Sequence, residues 1–61
     1  MEEIFKIIYL LPFDSSSSEG YSKSTTVENA TDKLKLYLSN KYNIDFADIA
    51  ILSCTPIQII Q

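Results

Sequence analysis

Sixty-one residues suffice for one domain spanning 1–61, and a chain of that size buries only about 60% of its unfolded surface, so it folds marginally unless something staples or covers it. One cysteine and no histidine exclude a disulfide framework and the usual zinc sites, which leaves self-association or a protein partner as the source of added stability. Eight acids against five lysines and no arginine, a net charge of −3, argue against a nucleic-acid binder, which relies on a basic stripe and on the forked contacts of arginine.

The run Ile4–Phe13 is dense in β-branched and aromatic side chains and is closed by Pro12, which predicts a strand. On a pleat Phe5, Ile7, Tyr9 and Leu11 point one way and Ile4, Lys6, Ile8 and Leu10 the other, so both faces are largely apolar. Asp14–Gly20 contains four consecutive serines beside the sole glycine and reads as a flexible loop over 14–20. A phosphate cradle needs several glycines and a lysine in register, and this stretch has neither. Tyr21–Thr25 alternates weakly and carries Lys23, the pattern of a protected edge strand.

Thr25–Tyr42 is the one convincing helix. At 100° per residue Val27, Ala30, Leu34, Tyr37, Leu38 and Tyr42 share one arc, and Asn29, Asp32, Lys33, Lys35 and Asn40 lie mostly outside it. Thr25 and Glu28 have capping-box spacing, the early acids and later lysines match the helix dipole, and Asn43 suits a left-handed stop, so the end belongs near Tyr42. Leu36 sits about 180° from the centre of the stripe and reads either as a single exposed leucine or as part of a second contact surface. Ile44 and Phe46 are expected to close the bottom of the core. The second β-rich run, Ile49–Gln61, holds Pro56, which marks an edge, a bulge or a break into two strands. Ile57, Ile59 and Ile60 beyond it are apolar enough to predict an ordered C-terminal stretch.

These elements assemble into an α+β domain, a small ββαβ (or βαβ) arrangement with one helix packed on one face of a small sheet. A crossover from the edge strand through the helix into a parallel strand would be right-handed. The element order resembles that of many small ββαβ domains, including some ribosomal and phage-encoded ones; no residue motif narrows the likeness to a family.

Chemistry finds little support. Asp45 and Asp48 are close enough to form a carboxylate pair, but turn and capping roles explain them equally well. Cys54 has no neighbouring base in sequence and reads as a small core residue. Tyr9, Tyr21, Tyr37 and Tyr42 have the faces for stacking on bases, yet a charged groove to accompany them is not evident, and Tyr37 and Tyr42 fall on the core stripe. An acidic surface of −3 is ordinarily a solvated one rather than a nucleic-acid mimic.

The expectation is a non-enzymatic protein–protein interaction protein without cofactor, metal or small-molecule substrate. It acts as a homodimer or as an accessory or inhibitory partner of a larger protein, and its size is compatible with a phage, viral or plasmid origin. One helix covers one sheet face, so the interaction residues are expected among Ile4, Ile8, Leu10, Ile57 and Ile59, with Leu36 as an outlying candidate. A nucleic-acid-associated module is the alternative, and a small enzyme subunit using Cys54 or Asp45 and Asp48 the second. No run reaches about 18 apolar residues, the acidic start does not fit a secretory signal, and the lone thiol suits a reducing cytoplasm.

Overall fold

A computed structural model describes residues 2–57. Its elements follow in the order β1 (Glu3–Leu10), β2 (Ser18–Ser24), α1 (Val27–Tyr42), a short 3-10 turn at Phe46–Asp48, and β3 (Ala50–Ile57). The strands form one sheet in the order β2-β1-β3, with β1 antiparallel to both neighbours. The described residues thus form a small α+β domain of three strands and one helix. The most apolar strand takes the centre, where both its edges are paired. β2 and β3, each antiparallel to β1, run parallel to each other, and α1 connects them across the strand that separates them.

The core lies between α1 and one face of the sheet. Phe5, Ile7 and Leu11 meet Ala30, Leu34 and Leu38 of the helix and Ile49 at the start of the last segment, and Tyr9, Ile44, Ile51 and Cys54 pack partly against them. Each fully buried large aliphatic or aromatic side chain contributes about 1.5–3 kcal/mol relative to an exposed one.

The helix starts one residue later than its capping box suggests. Thr26, not Thr25, is the N-cap; its hydroxyl oxygen accepts the Asn29 amide at 3.1 Å. The other end is as expected, with Asn43 in the left-handed conformation at φ 55, ψ 50, following Tyr42. Only Ala30, Leu34 and Leu38 of the apolar arc are buried. Val27, Tyr37 and Tyr42 are exposed, because a sheet three strands wide covers only the central stripe at i, i+4 and i+8. Tyr42 instead meets Phe13 edge-on at 5.4 Å.

Two further boundaries differ. The serine-rich stretch ends sooner, since Ser18, Glu19 and Gly20 already belong to β2 and pair with Tyr9, Ile8 and Ile7. Phe46 is exposed and Ile49 takes the core position near it; Phe46 lies under the Lys35 ammonium at 5.1 Å. Pro56 neither breaks nor bulges β3. It pairs with Phe5, and the irregularity falls instead between Ser53 and Ile51, which oppose Ile8 and Tyr9 and leave Leu52 as the extra residue. Proline is tolerated there because β3 is an edge strand. Ile59, Ile60 and the order expected of them lie outside the described residues.

Candidate interaction face

Residues directly opposite in a sheet share a face, so the register determines what the uncovered side carries. Opposite the helix lie Ile4, Lys6, Ile8 and Leu10 of β1; Glu19, Tyr21 and Lys23 of β2; and Ala50, Ser53, Thr55 and Ile57 of β3. Ile51 packs against the core, so its neighbour Leu52 turns away from the core and is 58% exposed. The result is an apolar band, Ile4, Ile8, Leu10, Leu52 and Ile57, crossed by one ion pair. Lys6 and Glu19, diagonal neighbours on adjacent strands, approach to 2.9 Å. That hydrogen bond and the carboxylate charge raise the Lys6 pKa.

Four of the expected interaction residues, Ile4, Ile8, Leu10 and Ile57, are therefore brought together. Ile4 and Ile57 are direct cross-strand partners. Leu36 is 57% exposed on the outer side of α1, so it lies apart from this face. Ile59 lies outside the described residues. The sequence reading missed Leu52, Tyr21 and the Lys6–Glu19 pair. The missed signal was the alternation of Glu19, Tyr21 and Lys23 with the small residues Ser18, Gly20, Ser22 and Ser24.

A second concave feature lies on the helix side of the β2 edge. It is an open groove of about 510 Å³ bordered by β2 residues 19–23, Tyr9 and the α1 residues Lys33, Leu34, Tyr37, Leu38, Lys41 and Tyr42. Gly20 permits this close approach, since a Cβ there would lie 3.1 Å from Tyr9 Cε1 and 3.3 Å from both Leu34 methyls. The Lys33 ammonium donates to the Lys23 carbonyl at 2.9 Å. Lys41 sits over the rings of Tyr37 and Tyr42 at 5.6 and 5.4 Å, and its pKa is raised chiefly by Tyr37 and Tyr42.

Cys54, Asp45 and Asp48, the residues considered for catalysis, do not line this groove. Cys54 opposes Ile7 and packs against the core, and burial pushes its thiol pKa up, which disfavours the thiolate a nucleophile requires. Asp45 precedes the 3-10 turn and its carbonyl accepts the Asp48 amide at 3.0 Å. Among the described residues no group of three or more His, Cys, Asp or Glu side chains is placed to hold a metal ion, and no helix is long and apolar enough to cross a membrane. No family model, curated protein or solved structure matches the chain.

Proposed function

We propose that this chain is a non-enzymatic protein-binding domain whose sheet face opposite the helix associates with a second copy of itself. The apolar band of Ile4, Ile8, Leu10, Leu52 and Ile57, with no element laid over it among the described residues, is the observation that carries the reading. Small domains without disulfide or metal obtain stability from association, and a sheet that is apolar on both sides is best served by a second layer.

The charge pattern favours a like partner. A two-fold interface must be self-complementary, and this face carries Lys6 and Glu19 side by side, so each can meet the opposite member of the pair on another copy. The face offers about a dozen residues, around half the complement of a standard interface of roughly 20–30 residues a side. The association is accordingly weak and requires concentrated protein.

Sedimentation equilibrium from micromolar to millimolar protein tests this. The wild-type chain is expected to move from one to two copies across that range, with a melting temperature that rises with concentration. Ile8→Glu, at the centre of the band, is expected to stay monomeric with its fold intact, whereas Leu36→Gln leaves the association unchanged. A wild-type chain that remains monomeric throughout, or an Ile8→Glu variant that associates equally well, removes the reading.

A further inference from the structure

The groove between β2 and α1 is separate from the sheet face, and its features point to a different occupant. Pro56 lacks an N–H and opposes Phe5, so its ring nitrogen must face the open side of β3. In an antiparallel ladder the N–H and C=O of one residue point to the same edge, and successive residues alternate. Phe5 therefore turns its backbone groups toward β2, where Ser22 is its partner. Ser22 and Gly20 face inward, which leaves the backbone N–H and C=O of Glu19, Tyr21 and Lys23 on the outer edge.

The Lys33 contact agrees with this alternation, because the carbonyl its ammonium reaches is that of Lys23. The two sheet edges consequently differ. The edge of β3 is interrupted by a proline and a bulge, two devices that discourage pairing. Among the described residues the edge of β2 has neither; its protection is charge alone, from Lys23 on the strand and from the Lys33 ammonium over the Lys23 carbonyl.

The groove also carries positive charge in an acidic chain. The ammonium groups of Lys33 and Lys41 line it, two of the five lysines in a molecule of net charge −3, while Lys23 contributes its backbone carbonyl and turns its side chain to the opposite face. The acid on its border, Glu19, is engaged by Lys6 on the other face of the sheet. We infer that the groove binds an extended acidic segment of another protein, which adds to the β2 edge as a fourth strand and turns its carboxylates toward Lys33 and Lys41.

On docking, a guest N–H takes the Lys23 carbonyl, and the Lys33 ammonium released from it pairs with a guest carboxylate. Strand addition draws affinity from the main chain and specificity from alternate side chains. A second copy paired edge to edge would bring Lys33 and Lys41 against their own counterparts, which like-charge repulsion opposes. A nucleic acid would use the lysines but not the alternating donors and acceptors of the strand edge.

Fluorescence anisotropy with end-capped octapeptides that alternate Glu or Asp with Val or Thr tests the inference, using the full chain at low and physiological ionic strength. At least one peptide is expected to bind, and to slow hydrogen exchange at the amides of Glu19, Tyr21 and Lys23. Methylating the guest nitrogens that face β2 is expected to weaken binding by about tenfold or more, since each methyl removes a main-chain hydrogen bond. Lys33→Gln with Lys41→Gln, in a chain whose amide spectrum shows it folded, weakens it about fivefold and flattens the salt dependence. Failure of the whole peptide series, equal binding of the methylated guest, or displacement of the peptide by an oligonucleotide of matched charge without protection of those amides would each overturn it.

Discussion

Gly20 lies where β2, the Tyr9 ring and α1 converge, and replacing it with valine tests whether that close approach is real. A Cβ at this position already lies 3.1 Å from Tyr9 Cε1 and 3.3 Å from both Leu34 methyls, inside the optimum carbon separation of about 3.5–4.0 Å. The Tyr9 ring borders the open groove and has room to swing. Leu34 borders the groove as well, but it lies between Ala30 and Leu38 on the buried stripe and is only 8% exposed, so it has less. Overpacking costs about 1–3 kcal/mol, and removing glycine from a strand returns about 0.5–1 kcal/mol, so Gly20→Val is expected to destabilise by roughly 1–2 kcal/mol. A chain of this length has only about 3–9 kcal/mol in total. Leu34→Ala alone costs about 2–5 kcal/mol, yet in the Gly20→Val background it clears the space the valine needs. Urea unfolding of the four proteins, followed by circular dichroism, should therefore yield a favourable coupling of about 1–2 kcal/mol. Additive effects, or a Gly20→Val chain as stable as wild type, would refute the contact.

The cap assignment separates two adjacent threonines: Thr26→Ala is expected to cost about 1 kcal/mol, while Thr25→Ala stays within about 0.5 kcal/mol of wild type, and thermal or urea melts that reverse this order contradict the hydrogen bond to the Asn29 amide. Asn43 holds φ 55, so Asn43→Gly is expected to be neutral or stabilising and Asn43→Val to cost at least about 1 kcal/mol in the same melts. Burial raises the Cys54 thiol pKa, so the folded state holds this proton more tightly than the unfolded chain. Its contribution to stability is complete below the unfolded thiol pKa and is lost as pH rises through the folded one. Alkylation at mildly alkaline pH should accordingly run slower in the folded chain than in urea, and equal rates contradict the burial.

Much of the fold was legible because it rests on short-range signals. The apolar density of Ile4–Leu10, the helix up to Tyr42 and the left-handed stop at Asn43 all appear in local pattern, and the two-faced character of β1 led directly to the uncovered face. The failures have physical causes. Thr25 and Thr26 precede the helix side by side, and the choice between them depends on where the backbone turns helical. Val27, Tyr37 and Tyr42 belong to the apolar arc, but the width of the sheet decides how much of an arc is covered. The serines concealed the start of β2, since Ser18, Gly20 and Ser22 are loop-like in composition and yet are the small residues that let α1 lie close. Leu52 reached the face through a bulge, which depends on register. The groove was invisible for a similar reason, as its backbone edge comes from β2 and Lys33 and Lys41 from the helix.

The sheet face opposite the helix is the proposed contact between copies of this chain. Isotope-filtered nuclear Overhauser spectroscopy on an equal mixture of labelled and unlabelled chain, at a concentration where both are paired, reads that contact directly. The expected result is intermolecular contacts at the methyls of Ile4, Ile8, Leu10 and Ile57, and none at Leu36. Contacts confined to Leu36 and the outer side of α1, or no intermolecular contacts at those four residues, would contradict it.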